Sequence, residues 1–213
     1  MFCSRYLALY LAIVCALQCL VFAVRDAEAE EKCQAFLLSP VASPLKENLK
    51  RNLRIDEEAE FFCELVLQDV DLPPQIRVTV HEGLSYLATR HVQMGLQRQN
   101  DVYRHAKILA QYIPSSFKFN SRAGYWALDP AVFDIDGAVR FLSDALYRSS
   151  RASEEVTEAA KVEVRRHLAR ALLQSGNVSS AVNELETLLR ATPHDFAIAF
   201  MFQDVMEKVK GHR

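Results

Sequence analysis

The sequence predicts an all-α fold, an irregular solenoid of helical hairpins behind one hydrophobic N-terminal helix, on three observations. Apolar residues recur at helical spacing through most of the chain, most plainly at Ala138, Phe141, Leu142, Ala145 and Leu146, a stripe at i, i+3, i+4, i+7 and i+8. Capping residues and prolines punctuate the same region at helix-length intervals. The 213 residues include only six glycines and seven prolines, about half of average usage, which disfavours both turn-rich β folds and disorder. Half of the residues are apolar and 24% are charged, a mix that can bury a core.

Residues 6–24, YLALYLAIVCALQCLVFAV, contain one polar residue, Gln18, between Arg5 and Arg25-Asp26. The length suits an uncleaved signal-anchor, while Ala27-Glu28-Ala29 offers an A-x-A-like site for cleavage of a secretory signal. The expected division is therefore a hydrophobic segment over 1–24, a polar tether over 25–43, a helical repeat domain over 44–210 and a short tail over 211–213. Cys3, Cys15 and Cys19 lie in or beside the apolar segment. Cys33 and Cys63 stand in the remainder; a lumenal setting would let them form a disulfide, but thirty residues apart and without a C-x-x-C pattern they are expected to be unpaired.

Ser43 and Pro44 can open a first helix, and Asp56 can cap a second over about 57–69, closed by Asp71-Leu72-Pro73-Pro74. Over 75–97, Ile76, Val78 and Val80 alternate as in a strand, but Val80, Leu84, Leu87, Ala88 and Leu96 keep helical spacing, and the spacing predicts a helix. Asn100 or Asp101 caps a helix to about 113, before Pro114, with Phe117 and Phe119 expected in the following loop. A short helix over 121–128 carries Tyr125, Trp126 and Leu128, and Asp129-Pro130 reads as a cap with a first-turn proline. Helices follow over about 136–148 and, after the polar stretch Ser149 to Ser153, over 154–174. Gly176 suits a left-handed C-terminal cap, Asn177 caps a helix over 178–190, and Thr192-Pro193 with Asp195 opens the last helix, to about 209. The expected core comprises Phe61, Leu65, Leu84, Leu87, Leu109, Trp126, Phe141, Leu142, Leu168, Leu172, Ala181 and Leu185.

Residues 162–195 resemble one tetratricopeptide repeat, a hairpin of about 34 residues. Leu168, Ala169 and Leu172 stand at packing positions of its first helix, Gly176 at the turn, Ala181 at the close-contact position of the second helix and Pro193 at the exit. Arg165 replaces the usual Trp. Ala138 occupies the position matching Ala181 on a preceding helix, but farther back than one repeat period.

The segments GYWALDPAVFDIDGAVRFL (124–142) and AKVEVRRHLARALLQSGNVSSAVNELETLLRATP (160–193) resemble the helical domain of ELYS, the nuclear-pore assembly nucleoporin. Trp126, Leu128, Asp129, Phe133, Ala138 and Leu142 carry the first part of the likeness, and Leu172, Gly176, Ala181 and Pro193 the second, within about 60–195. The resemblance implies a non-catalytic scaffold in nuclear pore assembly, with nucleoporin partners; the hydrophobic segment 6–24, foreign to that family's usual layout, would bring such a protein to the nuclear envelope through the endoplasmic-reticulum membrane. The tetratricopeptide likeness implies instead a membrane-anchored or secretory-pathway adaptor. Under either, Tyr125, Trp126, Asp129, Phe133, Ala138 and Ala181 are the candidate interaction or packing residues.

A net charge of −2 provides no polybasic field, so nucleic-acid binding is disfavoured. His81-Glu82 begins like a zinc-hydrolase H-E-x-x-H, but position 85 is serine. Asp134-Ile135-Asp136-Gly137 matches part of a calcium loop, yet Ser143 stands where an acidic ligand is needed, and a helix cap is the simpler reading. The glycines form no phosphate cradle, and the histidines, His81, His91, His105, His167, His194 and His212, are expected at surfaces or interfaces. Arg90, His91, Arg98, Arg104, His105 and Lys107 can form a solvated basic face. No catalytic residue, cofactor, metal or small-molecule substrate is indicated. Asn177-Val178-Ser179 is an N-glycosylation acceptor that discriminates the two readings: a lumenal domain carries a glycan there, whereas the nuclear-pore reading, which the ELYS likeness favours, requires none.

Overall fold

The computed structural model describes residues 29, 31–33, 49–148 and 156–211; the hydrophobic segment 6–24, the Ser43-Pro44 opening and the stretch 149–153 lie outside them. Among the described residues the protein is all-helical, with no strand. Two compact units, Met1–Leu87 and Ala88–Arg213, divide the chain.

In the first unit, α1 spans Leu49–Val66, and α2, Pro74–Gln93, begins after a short turn. Asp56 does not open a helix: it lies inside α1, almost fully buried, because the surrounding RIDEEAE run holds neither glycine nor proline to break the helix. Cys33 and Cys63 are joined in a disulfide, Cα atoms 5.0 Å apart, contrary to the expectation of free thiols. Two buried helical residues meet when their segments pack side by side, whatever their spacing along the chain. The bridge sits in a core of Ala29, Val66, Leu72, Val80 and Leu84, with Phe62, Leu65, Leu67 and Ile76 partly buried around it. Phe61, expected inside, is 63% exposed, since the neighbouring Phe62 takes the inward face and holds Lys32 Nζ 4.3 Å from its ring centre. Arg77 closes the turn by donating to the carbonyls of Leu67 (3.2 Å), Val70 (3.1 Å) and Asp69. That leaves the strand-like alternation of Ile76, Val78 and Val80 within a helix.

In the second unit, α2 ends at Gln93 rather than 97. Gly95 takes φ 87°, and the Leu96 amide donates to the His91 carbonyl at 3.0 Å, a left-handed stop that a side chain would strain. Then follow α3 (Gln99–Tyr112), α4 (Phe117–Ala127), α5 (Ile135–Tyr147), α6 (Glu158–Gln174), α7 (Val178–Ala191) and α8 (Phe196–Gly211). From α3 onward each helix packs on the next in sequence.

Further boundaries differ from the sequence reading, among them the start of α6, which Thr157 caps at Glu158 rather than at about 154. Phe117 and Phe119 are buried in the first turn of α4, not in a loop, because Ser116 caps that helix by accepting the Phe119 amide at 3.4 Å. The Asn120 amide reinforces this start through the carbonyls of Pro114 (2.9 Å) and Ser116 (2.8 Å). Asp129-Pro130 forms a turn rather than a helix start, with Asp129 Oδ1 accepting the Ala131 amide at 2.9 Å, and Asp134 caps α5 through the Gly137 amide at 2.9 Å. Asp195, not Thr192, caps α8, accepting from Ala197 (3.0 Å) and Ile198 (3.3 Å), while the Thr192 hydroxyl donates back to Leu188. Gly176 at φ 80° and the Asn177 cap stand where the sequence places them.

Of the expected core, Leu84, Leu87, Leu109, Phe141, Leu142, Leu168, Leu172, Ala181 and Leu185 are buried, and Leu65 and Trp126 are only partly so. Gly124 decides the spacing of α4 and α5: a Cβ there would meet Leu142 Cγ, with Cδ2 at 2.6 Å and the backbone nitrogen at 3.3 Å.

Candidate functional site

The C-terminal end of α4, the turn after it and one face of α6 enclose an open cleft of about 400 Å3, lined by Tyr125, Trp126, Leu128, Asp129, His167, Arg170 and Gln174. Its position follows from local rules. The Asp129 turn stops α4 and leaves Tyr125 and Trp126 on its last turn, half-buried, while His167, Arg170 and Gln174 recur at i, i+3 and i+7 along α6.

The Tyr125 and His167 rings meet at 4.7 Å between centroids, tilted by 58°. His167 Nε2 lies 3.1 Å from Glu163 Oε1, and the other Glu163 oxygen accepts from Arg166 at 2.8 Å. Arg166 reaches on to Asp195 at 2.6 Å, so the wall of the cleft is tied to the start of α8. Burial pushes the His167 imidazole below its ordinary pKa, against the opposing pull of the Glu163 carboxylate. Burial, with Glu163 adding to it, pushes the Tyr125 hydroxyl up to about 12. Both groups are therefore neutral near pH 7.

Among the described residues, the side chains of Tyr125, Trp126, Arg170 and Gln174 make no hydrogen bond within the protein. An aromatic and aliphatic lining, one exposed guanidinium and several uncommitted donors suit an apolar side chain flanked by carbonyl or carboxylate acceptors.

Two further clusters span helices. The Tyr147 hydroxyl donates to Glu184 Oε1, and Arg165 donates to Glu184 Oε2 at 2.7 Å, linking α5, α6 and α7 around a buried carboxylate. Asp134 accepts from the buried Tyr103 hydroxyl as well as from Gly137. The DIDG stretch is thus a helix cap joined to α3, and among the described residues no group of acidic, His and Cys side chains is arranged to hold a metal ion.

Of the residues singled out from the sequence, Tyr125, Trp126 and Asp129 come together in the cleft. Ala138 and Ala181 are fully buried in helix packing, and Asn177 is exposed at the α6–α7 turn. Phe133 is 65% exposed and holds φ 51°, a conformation uncommon for a bulky residue. Sequence reasoning missed His167, Arg170 and Gln174, whose polar i, i+3, i+7 spacing was a readable signal. It also expected the histidines at surfaces or interfaces; His81, His91 and His105 are buried, because they lie on the inward faces of α2 and α3. The expected basic face is correspondingly reduced, with Arg98 paired to Asp101 and Lys107 Nζ 5.4 Å over the Tyr103 ring.

Among the described residues no helix is long and apolar enough to cross a membrane. Compared with known proteins, the chain matches no family model and no curated protein.

Proposed function

We propose that this protein is a non-catalytic interaction scaffold of the secretory pathway, a short helical-hairpin solenoid whose cleft beside Trp126 receives a peptide segment of a partner. The observation that carries the reading is the Cys33–Cys63 disulfide. Such bridges form and persist in lumenal or extracellular space, whereas cytosolic and nuclear thiols are kept reduced. Residues 6–24 provide the route, as a signal-anchor or a cleaved signal. The sequential packing of α3 to α8 supports the scaffold, since stacked hairpins bury their apolar stripes against their neighbours and leave an extended surface free. The nuclear-pore role implied by the ELYS likeness has Trp126, Asp129 and Phe133 in its favour and the disulfide against it.

Three measurements test this. Full-length protein expressed with its own N-terminus should carry Cys33 and Cys63 blocked to thiol alkylation until reduced, and proximity labelling should recover lumenal or secreted clients. Free thiols together with recovered nucleoporins would reverse the choice. A peptide-library screen should return apolar segments with an adjacent acidic group, and Trp126→Ala or Arg170→Ala should weaken the best binder by about tenfold, the loss of one aromatic anchor or charge-assisted bond. Equal binding by both variants would remove the cleft from the proposal.

A further inference from the structure

The geometry points to Asn177 as a site of N-linked glycosylation, an inference that rests on the secretory reading. The acceptor triplet Asn177-Val178-Ser179 lies at the tip of the α6–α7 hairpin, with Asn177 and Ser179 both exposed. Space around the tip is open: a Cβ built on the adjacent Gly176 meets no atom within 4 Å.

The chemistry is compatible with the folded turn. Asn177 is the N-cap of α7, and only its Oδ1 is engaged, accepting the Ser180 amide at 3.3 Å. Among the described residues its Nδ2 makes no hydrogen bond. Transfer from a lipid-pyrophosphate-linked oligosaccharide forms a bond between Nδ2 and the anomeric carbon. The bond from that carbon to the pyrophosphate oxygen breaks, the lipid pyrophosphate leaves with the bonding pair, and Nδ2 loses one proton. The product is still an amide whose carbonyl oxygen accepts the Ser180 bond, so the glycan and the helix cap coexist. A glycan here projects from the turn and leaves buried Ala181 and Leu185 of α7 undisturbed.

The test uses the full chain with its own N-terminus, expressed in animal cells and compared with Asn177→Gln and Ser179→Ala. Asn177→Gln removes both acceptor and cap, whereas Ser179→Ala removes only the triplet. Ser179→Thr restores it. The expected result is a mobility shift on N-glycosidase treatment for the parent and Ser179→Thr, absent in the other two, with enzymatic deamidation mapped to position 177. In parallel, alkylation with and without reductant reports the Cys33–Cys63 bond. A formed disulfide without a glycan overturns the inference and leaves the secretory reading standing. Free thiols without a glycan overturn both.

Discussion

Replacing Gly137 by alanine tests whether the DIDG stretch is a helix cap built around a glycine. Gly137 sits in the first turn of α5, where a Cβ would meet Asp134 Oδ2 and come within 2.6 Å of both Asp134 Cγ and the Tyr103 hydroxyl. The Asp134 carboxylate must then move away from its two partners. Loss of the N-cap bond costs about 1 kcal/mol, and loss of a charge-assisted bond from buried Tyr103 costs about 1.5–3 kcal/mol. Alanine regains at most about 1 kcal/mol of helix propensity. The net expectation is a loss of about 2 kcal/mol, a fall of about 6 °C in Tm for a unit of this size, read by circular-dichroism melting. Gly176→Ala, with open space but φ 80°, should cost only about 1 kcal/mol. In a Tyr103→Phe background the Gly137→Ala penalty should shrink, since one of the two bonds is already gone. The Tyr103 bond also holds the Asp134 carboxyl below its usual pKa, so its contribution is present at neutral pH and lost as pH falls through the folded-state value. A Gly137→Ala melt at or above that of the parent would refute the reasoning.

The Cys33–Cys63 bond closes a loop of 30 residues, for which chain entropy gives about 3.5 kcal/mol. Reductant or a double Cys→Ser variant should lower the urea midpoint, and superimposable curves would show that the bridge adds nothing. Ala181→Leu should cost about 1–3 kcal/mol by forcing α6 and α7 apart at a fully buried position, and an unchanged melt would place that side chain in solvent. Burial holds His167 below its ordinary pKa of 6.5, so on acidification the unfolded chain takes up a proton before the folded one does. Stability should fall as pH drops below about 6.5, and His167→Gln should flatten that part of the urea-midpoint profile. Phe133→Gly should relieve a left-handed backbone and raise Tm slightly while weakening partner binding if the exposed ring is a contact; lowered Tm would mean the ring packs in the folded state.

What the sequence determined by itself was the class and the punctuation. Gly176, Asn177, Asp134 in its capping reading, and the stripe from Ala138 to Leu146 were legible because each acts on backbone groups or neighbours within about four residues, a range a linear pattern records. Competing local signals were harder: Asp56, Asp129-Pro130 and Thr192-Pro193 all resemble helix starts, and which of them caps a helix depends on whether the adjoining chain folds back there. Tertiary structure alone decided that Cys33 meets Cys63, that His91 and His105 lie inside, and that Gly124 and Gly137 stand against Leu142 and Asp134. It also brought Tyr125 and Trp126 of α4 to His167 and Arg170 of α6, across about forty residues of chain. The physical reason is that a periodic stripe says a helix has an inward face but not which helix that face meets, and proximity, burial and the pKa changes that follow all depend on that choice.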